Sequence, residues 1–179
     1  MIDELEHVIL VDADDRPLGT ERKIEAHVQG KLHRAFSVLI HDGEGNMLLQ
    51  QRAHGKYHSG GLWTNACCGH PRPGEATVEA ARRRLREEMG FDCPLAPLAT
   101  VTYRAEVGNG LTEHEVVHLF GGCWQGEVVP DPKEVSDQAW RPLDDVRRAA
   151  AANPERFTAW FKVYLGRDTD WFAAGDRPA

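Results

Sequence analysis

The stretch GHPRPGEATVEAARRRLREEMGF, residues 69–91, decides the fold. Its first part is turn chemistry: Pro71, Pro73 and Gly74 hold a rigid loop that cannot continue as helix or central strand. From Ala76 the character changes. Val78, Ala81, Leu85 and Met89 recur at intervals of three and four, so the spacing predicts a helix over 76–89 with one apolar stripe, closed by Gly90 as a left-handed cap. Such a stripe needs a sheet to cover. Arg84 and Glu88 stand at i and i+4 on the helix, which by itself suits an ordinary surface ion pair.

Working outward, the sheet is supplied on both sides. Ahead of the helix, residues 6–12 read as a short apolar strand followed by a turn cluster at 14–19 and a loop over 21–30. Residues 31–41 and 47–52 read as two strands of a hairpin around 42–46, followed by a glycine-bearing loop at 54–61. Behind the helix, 98–106 and 113–124 form a second hairpin around Gly108, Asn109 and Gly110, and 135–141 is a further strand. Two helices are expected at 143–152 and 154–165, the second with Phe157, Trp160, Phe161 and Tyr164 at helical spacing. The expected class is α+β, also describable as α/β: a mixed β-sheet packed between helices, in a single domain covering 1–179.

Composition sets the outer bounds. With 179 residues, 41% hydrophobic and 27% charged, the chain can bury a core and is neither disordered nor fibrous. Lys+Arg of 21 against Asp+Glu of 28 gives a net charge of −7, which argues against nucleic acid or an anionic membrane as partner. No apolar run approaches a membrane span, and the first residues, MIDELE, lack the basic start of a signal peptide, so a cytoplasmic protein is expected; a monomer is expected as well. The four cysteines, Cys67, Cys68, Cys93 and Cys123, have no framework spacing and read as free thiols. The nine histidines are the unusual count.

The opening stretch also carries a pattern. Gly69, Glu75, Arg83, Leu85, Glu87, Glu88, Gly90 and Phe91 fall at the spacing of the Nudix box, and the chain resembles that family of diphosphate-handling enzymes. The resemblance implies a Nudix-like sheet between helices and a carboxylate-bearing helix that holds Mg²⁺ against a diphosphate. At Arg84, however, a hydrolytic member carries a glutamate that helps bind the metals activating water. A guanidinium there suits gripping a diphosphate oxygen instead.

Immediately upstream, Trp63 Thr64 Asn65 Ala66 Cys67 Cys68 Gly69 His70 Pro71 resembles the type I isopentenyl-diphosphate isomerases, in which the cysteine before the glycine is catalytic. That cysteine is Cys68 here. In a strand, Glu113 and Glu115 point to one face while His114 points away, and two carboxylates so placed call for a cation or a shared proton. The resemblance implies that His27, His33, His70, Glu113 and Glu115 hold a divalent ion, with Mn²⁺, Mg²⁺ or Zn²⁺ compatible with mixed N/O donors. The interval from His27 to His33 is one residue shorter than the family's, and His27 falls in the expected 21–30 loop.

The remaining expectations follow from the same resemblance. A second ion, Mg²⁺, bridges Glu88 and the diphosphate, with Glu87 as the weaker neighbour, while Lys23, Arg52, Lys56 and Arg84 are the diphosphate-binding cations. Shifting an unactivated double bond needs an acid, a base and aromatic walls around a cationic transition state. Glu115, assisted by Tyr103, is assigned to protonation, Cys68 to proton removal, and Trp160 to the wall. The implied activity is conversion of isopentenyl diphosphate to dimethylallyl diphosphate, on a small-molecule prenyl diphosphate. The alternatives are a Nudix diphosphate hydrolase and a non-catalytic Nudix ligand-binding domain. His7, His41, His54, His58, His114 and His118 read as surface or hydrogen-bonded residues.

Overall fold

A computed structural model of the chain describes residues 6–167. Residues 1–5, which open the MIDELE start, and 168–179, the tail of the expected single domain, lie outside the described residues. The sheet is built from β1 (His7–Val11), β2 (Pro17–Arg22), β3 (His33–His41), β4 (Asn46–Arg52), β5 (Trp63–Asn65), β6 (Cys67–Gly69), β7 (Ala96–Glu106), β8 (Thr112–Cys123) and β9 (Val135–Pro142). The helices are α1 (Lys23–Gln29), α2 (Thr77–Met89), α3 (Leu143–Ala152) and α4 (Ala159–Leu165).

Strand β3 organises the rest. One edge runs parallel to β8 from His33 opposite Glu115 to His41 opposite Cys123. The other edge is shared by β1 at Leu10–His33, β6 at Ser37–Cys68 and β4 at His41–Met47. The expected hairpin of β3 and β4 is therefore reduced to one pair beyond its turn, because β4 leaves to pair with β5 and β9. The hairpin of β7 and β8 through Gly108, Asn109 and Gly110 forms as expected.

Alternation along β3 sorts the two cores. Phe36, Val38 and Ile40 face α2, where they meet Ala81, Leu85 and Met89. Ala35 and Leu39 face the other way, onto Val117 and Leu119 of β8 and onto Trp160, Phe161 and Tyr164 of α4. Both faces of the sheet are thus covered, with the periodicity of 2 in the strands meeting that of 3.6 in the helices. At the end of α2, Gly90 takes φ +79°, and a Cβ there would lie 2.2 Å from the Val129 carbonyl oxygen. Only glycine fits that cap.

Three local expectations need correction. The 14–19 turn cluster and the 21–30 loop contain β2 and α1, so His27 sits in the last turn of a helix. The helix α1 spans Lys23–Gln29, without a side-chain N-cap, so caps and periodicity gave little warning of it. The helix expected at 154–165 is a 3₁₀ turn, Pro154–Arg156, then an extended break at Phe157 and Thr158, then α4. The break has a cause: Phe157 bridges Trp63, and the Thr158 N–H donates to the Trp63 carbonyl at 3.0 Å.

Candidate active site and metal centre

On the α4 side of the sheet, β3 and β8 present a run of polar residues where apolar ones would complete the core. His33 and Glu115 are register partners, and Glu113 lies two residues earlier on the same face of β8. From α1 comes His27, and from the loop after β6 comes His70. One ligand atom from each of His27, His33, His70, Glu113 and Glu115 lies within 4.8 Å of every other.

The imidazoles are oriented from behind. The His27 Nδ1 donates to the Lys23 carbonyl at 2.6 Å and the His33 Nδ1 to the Lys31 carbonyl at 2.8 Å. A carbonyl can only accept, so both rings carry the proton on Nδ1 and aim an Nε2 lone pair into the cluster. The His33 and His70 Nε2 atoms stand 3.2 Å apart, and the His70 Nε2 is 2.9 Å from Glu115 Oε1. His27 Nε2 and Glu113 Oε2 lie 3.0 Å apart, inside hydrogen-bond range, yet both are buried without a well-formed hydrogen bond. Orphaned lone pairs converging on one point are what a cation requires, and a mixed set of three nitrogens and carboxylate oxygens suits a divalent ion. The residues present fit such an ion.

Charge in the cluster follows the same geometry. Burial disfavours ionised Glu113, but the imidazoles of His27 and His58, each 3.0 Å from one of its oxygens, outweigh burial and hold the carboxyl well below the usual range. Glu115 is lowered too, against burial and the neighbouring Glu113, by His33 and His70. Burial pushes His70 down to about 4, with Glu115 opposing. For His27 burial pulls down, but Glu113 prevails and the net shift is upward.

Two proton-handling groups face the adjoining cavity. Tyr103 Oη donates to Glu115 Oε2 at 2.7 Å, joining β7 to β8 at the register pair Tyr103–Glu115. Across β3, Cys68 Sγ accepts from Ser37 Oγ at 3.2 Å and donates to Asn65 Oδ1 at 3.3 Å. Successive strand residues point to opposite faces, so Cys67 packs against α2 while Cys68 turns to the cavity. Burial raises the Cys68 thiol to about 12 despite the Ser37 and Asn65 hydrogen bonds. Ser37 is in turn 3.0 Å from Tyr164 Oη.

The cavity, of about 850 Å³, gathers every expected site residue except His27 and His33, which lie behind its wall. Among its cations, Lys23 pairs with Glu6 at 3.1 Å, and Arg52 donates to the His58 carbonyl at 3.3 Å. The Arg52 guanidinium also lies 5.3 Å over the Trp160 ring, so the indole face already receives a cation. The Trp160 Nε1–H is satisfied by Thr64 Oγ1 at 2.9 Å. Arg84 reaches Glu88 Oε1 at 2.7 Å, Glu87 Oε2 at 2.6 Å and Glu134 Oε1 at 3.4 Å, while Lys56 pairs with Glu134. Glu88 is buried, with Gln50 Nε2 on its other oxygen at 2.9 Å, whereas Glu87 is largely exposed and held by Arg83 and Arg84.

Sequence reasoning missed four parts of this wall. Ser37 shares the face of His33 at period 2 and was readable on that ground. Asn65 lies inside the quoted segment at Trp63–Pro71, but its role in holding Cys68 depends on β6 leaving β5 to pair with β3. Glu134, in the loop ahead of β9, carries no local signal. His58, read as a surface or hydrogen-bonded residue, is buried with Nε2 3.0 Å from Glu113 Oε1.

The comparisons with known proteins agree with this architecture. The NUDIX domain matches residues 31–161, which run from β3 to the first turn of α4. Isopentenyl-diphosphate Delta-isomerase of Pectobacterium atrosepticum is 48% identical over 170 residues, 95% of each chain. That of Burkholderia multivorans is 52% identical over 162 residues, 90% of this chain and 92% of its own.

The chain belongs to the isopentenyl-diphosphate Delta-isomerase family of NUDIX-domain proteins.

Solved structures show how widely the fold is shared. The DR0079 protein of Deinococcus radiodurans superposes with a TM-score of 0.76 at 18% identity, covering 89% of this chain and 97% of that one. A MutT NUDIX hydrolase of Burkholderia pseudomallei gives 0.61 at 23% identity, covering 77% and 98%. At such identities the likeness is one of fold alone, and membership of the isomerase family rests on the sequence relatives.

Proposed function

We propose that the chain works as a single-domain, cytoplasmic monomer that isomerises isopentenyl diphosphate to dimethylallyl diphosphate. The observation that carries the reading is the pairing of two proton-handling groups, Cys68 and the Tyr103–Glu115 couple, in the lining of one cavity that also includes Lys23, Arg52, Lys56, Arg84 and Trp160. Family membership supplies the reaction class; the cavity supplies groups suited to it.

In the reaction one proton is added to the terminal methylene, making a methyl, and one is removed from the carbon on the other side of the branched carbon. The double bond moves by one position and the diphosphate is untouched. Lys23, Arg52, Lys56 and Arg84 hold the diphosphate, exchanging their present carboxylate and carbonyl partners for phosphate oxygens. Glu88 would hold Mg²⁺ against that group, and His27, His33, His70, Glu113 and Glu115 would hold a second divalent ion. When bound, the two ions supply positive charge, one at the diphosphate and one beside Glu115.

Glu115, hydrogen-bonded by Tyr103, gives the proton, and Cys68 takes the other one from the opposite side. With the Cys68 thiol raised and the Glu115 carboxyl lowered, the free site has its proton on sulfur. That is the state left by a forward turnover, so a proton returns from Cys68 to Glu115, through solvent, before the next one. Trp160 walls the cation that forms between the two groups and keeps water from it.

The hydrolase alternative is favoured by the box and opposed by Arg84. In place of a metal-binding glutamate, a guanidinium joins Glu87, Glu88 and Glu134 on this surface. Incubation with isopentenyl diphosphate and Mg²⁺ separates the readings: dimethylallyl diphosphate without phosphate release is expected. Inorganic phosphate without dimethylallyl diphosphate would overturn the isomerase reading.

A further inference from the structure

The loop between β4 and β5 places one titratable side chain that the mechanism above does not use. His58 is 4% exposed, and its Nε2 lies 3.0 Å from Glu113 Oε1, the carboxylate oxygen opposite the Oε2 that converges with His27. It is not among the five residues whose ligand atoms converge. Its Nδ1 is 3.2 Å from the Ser59 hydroxyl, which can donate to it and so leave the ring proton on Nε2 for the carboxylate. The ring stands edge-on to Trp160, with centroids 5.8 Å apart and planes at 89°, and the His58 carbonyl accepts from Arg52.

A carboxylate that offers one oxygen to a cation still rotates about its last torsion unless the other oxygen is tied. In Glu113 the second oxygen is tied by His58, whose Nε2 lies 3.0 Å from it. We propose that His58 is a positioning residue for the metal centre: it donates Nε2–H to Glu113 Oε1 and thereby fixes Oε2 as the atom facing His27 and the ion. The assignment rests on the metal centre proposed above. It also links that centre to the aromatic wall, because the same ring packs against Trp160.

The test uses the full chain stripped of metal and titrated with Mn²⁺, the free ion being followed by electron paramagnetic resonance, alongside steady-state kinetics. Loss of a hydrogen bond behind a ligand is expected to weaken metal binding by about 10–100-fold. His58→Phe keeps the edge contact with Trp160 but removes the donor; it should weaken Mn²⁺ by that factor and lower kcat with KM for isopentenyl diphosphate little changed. His58→Gln retains a donor and should recover most of the affinity. Should the phenylalanine variant fail to fold, His58→Gln and His58→Met form the same comparison, and equal Mn²⁺ affinity in those two would overturn the proposal. Parent-like affinity in His58→Phe overturns it as well, with the metal centre left standing. A parent protein that takes up no Mn²⁺ removes the centre itself, and His58's role with it.

Discussion

Two adjacent cysteines show how much one residue of register decides. Cys67 lies against α2 and Cys68 against the cavity, although their chemistry is the same. Replacing Cys68 by alanine should lower kcat by about 10²–10⁴-fold, the usual worth of a proton-transfer group, with little change in KM. Cys67→Ala should leave kcat near that of the parent, and steady-state assays of the two variants check both. Since burial raises the folded Cys68 pKa to about 12, its thiol is neutral near pH 7 and its thiolate fraction grows only as pH rises. Alkylation of Cys68 in the free protein, followed by mass spectrometry, should therefore be slow at neutral pH and accelerate steadily in base. The residues proposed for proton transfer and metal binding were readable from sequence at Cys68 and the Glu113–Glu115 pair, because strand alternation and a rare motif carry them. His58 and Glu134 were not, because their partners lie 55 and 50 to 78 positions away in sequence and only the folded sheet brings them together.

Helix α2 is the element where sequence and fold agree most fully, since its stripe, its cap and its charges each point the same way. Glu75 accepts from Arg83 Nε at 2.7 Å and Nη2 at 2.9 Å, a two-pronged pair that ties the preceding loop to the helix. The Arg83 hydrogen bonds lower the Glu75 pKa, so its contribution is present above the unfolded value near 4.5 and lost as pH falls through the lower folded value. Glu75→Gln should cost about 1 kcal/mol at neutral pH, allowing for partial exposure, and the difference from the parent should close in acid; denaturant unfolding across pH measures it. Gly90→Ala should cost more than ~2 kcal/mol in the same assay, from the left-handed φ and the Val129 carbonyl in the way. Elsewhere local signals were overridden. The aromatic spacing at 154–165 predicted an unbroken helix, but pairing of Phe157 and Thr158 with Trp63 made a break there, and this is a tertiary contact that periodicity does not encode.

For the molecule as a whole, a net charge of −7 coexists with a cavity lined by Lys23, Arg52, Lys56 and Arg84. Bulk charge thus says little about a small diphosphate, which is proposed to be held by the few cations in one cavity. Among the described residues no helix is long and apolar enough to cross a membrane. In the proposed reaction Cys68 and Glu115 exchange protons with the substrate from opposite sides while the diphosphate stays attached. Turnover of isopentenyl diphosphate in deuterated water, followed by nuclear magnetic resonance, tests it most directly. Dimethylallyl diphosphate with deuterium in a newly formed methyl group is expected, with loss of both isomerisation and exchange in Cys68→Ala and Glu115→Gln. Product free of solvent deuterium, or unchanged turnover in either variant, would contradict it.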